Sequence, residues 1–359
     1  MGASPRGTLV IRPERLGDLV LCTPVLRACR ATWPDEPLRV LTDDRHAALL
    51  EGFPGLDEIV AVPWLGRKRG QRAPWKTIYS ALRSRPRPRR AIILYPGVGA
   101  WNYLMAALRV PEVAQLGGTL PATLLGHRMM LRRKTAPDTH YAELFLATAA
   151  LLGAQTADRL PRIEVSRAET AALLARYPRL AGSGPHVLVH PFRPSAIPGL
   201  GEAGYRGLLT RLAGLGLSVH LVGAGEAARN WRSLERADID EELLGRLTLR
   251  ELMAACAVAT VVVADSTGVI HLAAALGTPT FGFYCPRPSA SPPVWGPLGA
   301  QAETMVASIS FCRGCSPATG SCTSDGWCDL AAGVDLSTAA DRIAAKAFVR
   351  APAVAADSR

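Results

Sequence analysis

The stretch from Ala259 to Gly277 constrains the fold most tightly. An apolar run reaching Ala264 meets the small polar turn Asp265-Ser266-Thr267-Gly268 and then a helical pattern from Val269 to Leu276. That order predicts a β-strand feeding a helix through a Ser-Thr-Gly turn. Such a helix start presents unpaired backbone N–H groups and the positive end of a dipole, a seat for an anion such as a diphosphate. Ser266, Thr267 and Gly268 would supply hydroxyls and N–H groups there, and Gly268 permits close approach. The same three residues would equally make a plain helix cap. His271 falls one turn inside, on a face of Leu and Ala, where a lone histidine is most often structural.

The alternation recurs along the chain. Strands are expected over 8–11, 38–41, 59–62 and 91–95, with helices over 19–33, near 46–51 and over 141–152. A linker over 167–184 holds one short helix. Strands follow over 186–190, 218–222, 260–264 and 280–284, with helices over 204–215 and 249–257. Strands alternating with helices predict parallel sheets covered on both faces, an α/β fold. At 359 residues the chain exceeds one ordinary core. The pattern divides it into 1–170, 171–335 and a closing helix and tail over 336–359, with Ser337 as the helix N-cap.

No apolar run reaches the roughly 18–20 residues of a membrane span. The N-terminus lacks a signal-peptide core, so a cytoplasmic protein is expected. The net charge is +11, and ten Lys or Arg with no acid lie between Trp64 and Arg90. A second basic cluster is Arg128, Arg132, Arg133 and Lys134. Two readings stand: a solvated basic surface, or attraction to a phosphorylated glycolipid or a membrane surface. Nucleic acid is not expected, since no nucleic-acid module is legible and aromatics are 6%.

Cys22, Cys29, Cys256 and Cys285 sit in apolar patterns and read as buried thiols. Cys312, Cys315, Cys322 and Cys328 lie in a Gly/Ser/Thr-rich stretch. Four close thiolates can encircle one structural zinc ion; free thiols and paired disulfides are the alternatives that the spacing leaves open.

A first segment runs from Leu9 to Arg27 and holds Gly17-Asp18 and Thr23-Pro24. Phe53-Pro54-Gly55-Leu56-Asp57-Glu58-Ile59, His190-Pro191, Val219–Glu226, Leu249-Arg250-Glu251-Leu252 and Pro292–Gly299 follow it along the chain. In this order the segments resemble the ADP-heptose:lipopolysaccharide heptosyltransferases, glycosyltransferase family 9. The resemblance implies a GT-B fold, two facing Rossmann-like domains with parallel sheets. The acceptor would bind the N-terminal domain, the nucleotide sugar the C-terminal one, and the last helix would cross back to the first domain. It also implies an anionic glycolipid acceptor, peripheral contact with the inner face of the cytoplasmic membrane, and no cofactor required for transfer.

Asp18, beside Gly17 and after the first strand, matches the family's general base for the acceptor hydroxyl; the plain reading is a helix-start carboxylate. Arg12 and Arg15 flank it, as acceptor-phosphate ligands or as solvent-facing charges. The match makes His271 a donor to the leaving phosphate or a loop anchor. Gly223 and Gly225 would line the nucleotide pocket, with Glu226 toward a ribose or base or simply in a strand-to-helix turn. Two departures stand out. Aligned on Gly268 and His271, the family's Asp position is Ser266 here, and Asp265 falls one residue early. The loop Pro191–Gly201 lacks the family's Lys and Trp-Pro, leaving Arg193 as its cation for the diphosphate. The expected activity is inverting transfer of heptose from ADP-heptose to a lipopolysaccharide-core-like hydroxyl. The alternatives are a related nucleotide-sugar transferase for another glycan or natural product, or a non-catalytic nucleotide-sugar binding homologue.

Overall fold

Thr8–Ile11 form strand β1, and all of its side chains are buried. Leu9 and Ile11 enter a core with Leu41, Val60, Ile93 and Trp101. Val10 alternates to the opposite face and is equally buried. Burial on both faces is why the strand reads as a solid apolar run.

The computed structural model describes residues 6–64, 74–131, 138–182, 184–192, 199–225, 228, 239–240, 242–308, 315–316, 321–322 and 330–350. The chain divides into two units, Met1–Ile163 and Glu164–Arg359.

In the first unit β1 is joined by β2 (Leu38–Asp43), β3 (Glu58–Val62), β4 (Arg90–Ile93), β5 (Glu112–Leu116) and β6 (Arg128–Met130). The order is β3-β2-β1-β4-β5-β6, parallel throughout. Its helices are α1 (Leu16–Leu21), α2 (Thr23–Thr32), α3 (Trp75–Arg83), α4 (Ala100–Ala107), α5 (Leu120–Leu124) and α6 (Tyr141–Ala150).

The second unit repeats the plan with β7 (His186–His190), β8 (Ser218–Leu221), β9 (Ile239–Asp240), β10 (Val261–Asp265), β11 (Thr280–Tyr284) and β12 (Ala302–Val306). Its order, β12-β11-β10-β7-β8-β9, is also parallel. The helices are α7 (Arg167–Arg176), α8 (Gly201–Gly214), α9 (Leu249–Val258), α10 (Gly268–Ala275), α11 (Pro292–Trp295) and α12 (Leu336–Arg350). A two-stranded antiparallel piece, β13 (Cys315–Ser316) with β14 (Ser321–Cys322), lies apart from the sheet.

Each sheet starts at its centre, winds outward, then returns to place its fourth strand on the other side of its first. The strand order therefore reverses between β1 and β4 and between β7 and β10. Such reversals open a crevice at the carboxyl ends of the strands, where α/β ligands bind.

Several expectations are corrected. The helix expected over 19–33 is two, because Pro24 starts a new helix after the break at Cys22. The helix near 46–51 is a 3-10 turn, Ala47–Leu50. Residues 167–176 are no linker. A Ser166–Glu169 capping box starts α7, and Glu169 pairs with Arg250 of α9 at 2.6 Å. The unit boundary accordingly falls at 163/164 rather than 170. One face of the closing helix α12, Ala339, Ala340, Ile343, Ala344 and Ala347, is buried in the core of the second unit, against α8. Asp335, not Ser337, caps it, its carboxylate accepting the Ser337 and Thr338 N–H groups.

Candidate functional site

In the first unit, Arg12 follows β1 and is only 4% exposed. Its guanidinium spans the reversal between β1 and β4. One nitrogen donates to the Leu94 carbonyl beyond β4 at 2.6 Å, and another binds the Asp18 carboxylate. The rings of Phe145 and Tyr95 lie 5.3 and 5.7 Å from it. The Tyr95 hydroxyl donates to Glu14 at 2.6 Å.

Asp18 lies in the first turn of α1 and is not its cap; Arg15 occupies that position and makes no side-chain cap bond. The carboxylate is thus held by Arg12 at the carboxyl edge of the sheet. Arg15 is exposed and holds a positive φ of 42°, uncommon for a residue with a side chain. Sequence reasoning placed Arg12 and Arg15 together. The structure separates them: Arg12 is buried against Asp18, and Arg15 faces solvent. Behind them burial pushes the Cys22 thiol up to about 12, so it stays a neutral packing group.

In the second unit the elements around the β7/β10 reversal converge. Thr267 precedes α10 with extended backbone and does not cap it; its hydroxyl lies 3.4 Å from His190 Nδ1. The first turn of α10 carries no acid, so its N–H groups keep their capacity for an anion. His190 ends β7, and burial drives its pKa down to about 4, so the ring is neutral. Phe192 packs edge-on to it, centroids 5.8 Å apart.

Gly223 lies against the Phe192 ring, where a Cβ would stand 2.2 Å from it. Gly225 has φ +78°. Both glycines are therefore demanded by geometry, one by close approach and one by handedness.

Ser266 hydrogen-bonds the Tyr284 side chain, and the Tyr284 hydroxyl donates to the Trp295 carbonyl at 3.0 Å. Burial raises the Tyr284 pKa, keeping it a donor. Asp265 is fully buried and its Oδ1 accepts the Leu200 N–H at 3.2 Å, at the start of α8. That bond ties the end of β10 to the far end of the loop leaving β7. His271 is 6% exposed on the buried face of α10.

Ser266, Thr267, Gly268, Gly223, Gly225 and His271 thus belong to elements at one edge of this sheet. Arg193, Glu226, Cys312 and Cys328 lie outside the described residues. Cys315 and Cys322 are Cα partners across β13 and β14. Among the described residues no group of three or more His, Cys, Asp or Glu could hold a metal ion, and no helix is long and apolar enough to cross a membrane. Sequence reasoning passed over Phe192, Tyr284 and the clamp made by Asp265. Only the apposition of Phe192 to Gly223 had a signal, a glycine with an aromatic at the neighbouring strand end.

The family model for glycosyltransferase family 9 (heptosyltransferase) matches residues 138–319. Among solved structures, Escherichia coli ADP-heptose lipopolysaccharide heptosyltransferase II is similar at 20% identity and a TM-score of 0.70, over 96% of this chain and 99% of that one. E. coli heptosyltransferase WaaC, solved with ADP, is similar at 19% identity and a TM-score of 0.66, over 95% and 100%. The iron-containing dodecameric glycosyltransferase TibC of enterotoxigenic E. coli is similar at 12% identity and a TM-score of 0.55, over 97% and 78%. No curated protein matches the chain by sequence.

Proposed function

This chain belongs to glycosyltransferase family 9, the heptosyltransferases, and from that premise we propose that it moves heptose from ADP-heptose to a hydroxyl of an anionic, lipopolysaccharide-core-like glycolipid, with inversion. It is a glycosyltransferase built of two Rossmann-like α/β units. One observation carries the reading. Each sheet presents, at its own strand-order reversal, the chemistry of one half of the transfer: a held carboxylate in the first unit, an uncapped helix start in the second.

Asp18 takes the proton of the acceptor hydroxyl as that oxygen attacks the sugar's anomeric carbon. Arg12 fixes the carboxylate, and Arg15 meets an acceptor phosphate. The bond from the anomeric carbon to the diphosphate breaks, and the departing charge is taken up by the N–H groups at Gly268, the Ser266 and Thr267 hydroxyls, and Arg193. Gly223 and Gly225 let the nucleotide approach the backbone, with Glu226 toward its ribose. His271 anchors the turn from within α10. No metal is required for these steps. The basic first unit suits an acceptor held at the inner face of the cytoplasmic membrane, with peripheral contact.

A second reading keeps the chemistry and changes the glycan. Ser266 stands where the family's Asp is expected and is bonded to Tyr284, while the neighbouring carboxylate, Asp265, is turned into the core. A donor sugar other than heptose would fit that exchange. Calorimetry with ADP and UDP, followed by mass spectrometry of products from ADP-heptose and a lipopolysaccharide-core acceptor, tests both. ADP binding with heptose transfer is expected; preference for UDP, or ADP binding with no heptosyl product, moves the assignment to the second reading.

For Cys312, Cys315, Cys322 and Cys328 we propose one structural metal ion, zinc by donor chemistry. The pairing of Cys315 with Cys322 in β13 and β14 supports a compact thiolate set. Elemental analysis should find one zinc per chain; iron, as in the name of TibC, or no metal would overturn that choice.

A further inference from the structure

Five helices among the described residues end in one hydrogen-bond pattern. A residue two or three positions past the helix bonds back three positions and the next residue bonds back five, as in Gly153 to Ala150 with Ala154 to Ala149. This ending requires a left-handed residue. After α5, α6, α8 and α10 that residue is Gly126, Gly153, Gly216 and Gly277. After α4 it is Arg109, at φ +54°, with Arg109 N–H on Ala106 at 2.8 Å and Val110 N–H on Met105 at 3.0 Å. An arginine thus occupies the position that the chain elsewhere fills with glycine.

Arg109 lines a cleft of about 440 Å³ with Arg83, Arg85 and Arg87, beside Leu82, Pro88 and Leu108. Only Arg85 is neutralised, by Glu58 at 2.5 Å. The nearby Glu112 is taken by Arg89 at 2.9 Å and Arg90 at 3.6 Å. Arg83, Arg87 and Arg109 have no ion-pair or side-chain hydrogen-bond partner among the described residues. The carboxyl ends of α3 and α4 account for cations at Arg83 and Arg109, but no helix end accounts for Arg87. Three uncompensated guanidinium groups around one concavity favour a multiply charged oxyanion, and arginine forks suit phosphate. The volume exceeds that of a bare phosphate and suits one carried on a larger group.

The cleft lies where α3 and α4 end and β4 and β5 begin. That is the amino edge of the first sheet, roughly 15 Å along the strands from Arg12 and Asp18. It is therefore separate from the transferase site and does not rest on that reading.

We propose that the Arg83–Arg87–Arg109 cleft is a second, non-catalytic binding site for a phosphate-bearing ligand, either a phospholipid headgroup or a soluble phosphorylated compound. The test is calorimetry with inorganic pyrophosphate, and flotation with phosphatidylglycerol vesicles against phosphatidylcholine vesicles. It compares the full chain with R87A/R109A, with Arg109→Gly, and with Arg162→Ala, an exposed arginine outside the cleft, as control. Pyrophosphate binding should weaken at least tenfold in R87A/R109A and stay unchanged in Arg162→Ala. Flotation on phosphatidylglycerol, lost in R87A/R109A and competed by pyrophosphate, assigns the headgroup; pyrophosphate binding without flotation assigns a soluble ligand. Arg109→Gly should raise Tm by about 2–4 °C by relieving the left-handed arginine and weaken pyrophosphate about tenfold. The proposal is overturned if the native chain binds neither probe, if R87A/R109A binds like it, or if Arg109→Gly gains stability with affinity unchanged.

Discussion

Arg12 and Asp18 form a buried ion pair, their side chains 5% and 9% exposed, and the same guanidinium is anchored on Leu94 across the strand-order reversal. The position of the carboxylate is thus set by one residue. Removing either partner leaves the other buried and uncompensated, which costs more than the pair contributes. Arg12→Ala should therefore destabilise the first unit by about 3 kcal/mol and lower kcat as well. Asp18→Asn should lower kcat by roughly 10²–10⁴ with little change in ADP affinity. Denaturant melts and steady-state kinetics read the two effects separately. Full activity in Asp18→Asn would remove it as the base.

Gly223→Ala places a methyl group where the Phe192 ring now lies, at 2.2 Å. The ring must move, and with it the edge contact to His190. Overpacking of this kind costs about 1–3 kcal/mol. ADP affinity should fall about tenfold or more while the far-ultraviolet spectrum is kept. Unchanged affinity would place the nucleotide away from this turn.

The sequence made β1, β7, β10 and β11 legible because strands buried on both faces read as apolar runs. Residues 96–131 were not legible. β5 is Glu-Val-Ala-Gln-Leu, and its buried Gln115 accepts from Asn102 at 2.5 Å and donates to the Gly117 carbonyl at 2.9 Å and the Thr119 hydroxyl at 3.2 Å. β6 is three residues long with an exposed arginine. Short strands with buried polar or exposed charged residues carry no period that a single sequence reveals. At the site, the Gly-Asp and Ser-Thr-Gly turns were visible as local motifs. The partnership of Asp265 with Leu200 joins residues 65 apart in sequence, and no local pattern encodes it.

His190 is neutral in the folded chain, its pKa driven to about 4 by burial, and burial also lowers that of His186. Unfolded, both titrate near 6.5. Between those values the unfolded chain binds more protons, so stability rises with pH. It is fully present above about pH 6.5 and is lost as the pH falls toward 4. Tm should drop on the order of 5 °C between pH 7 and pH 5, and His190→Asn should flatten that slope. A slope unchanged in His190→Asn would show that other groups govern acid sensitivity.

Asp265 distinguishes a structural from a donor-binding carboxylate. Its Oδ1 accepts the Leu200 N–H inside the second core, and an asparagine of the same shape keeps that acceptor. Asp265→Asn should then retain kcat and KM for the nucleotide sugar within about threefold, since the lost charge contacts no substrate. Asp265→Ala leaves the Leu200 N–H buried and unpaired, at a cost of about 1–3 kcal/mol. It also releases the end of the loop that carries Arg193, so ADP affinity should fall together with Tm. Kinetics and thermal melts on the two variants decide the matter. A large kcat loss in Asp265→Asn with Tm unchanged would mean that this carboxylate, one residue early in the motif, reaches the donor sugar after all.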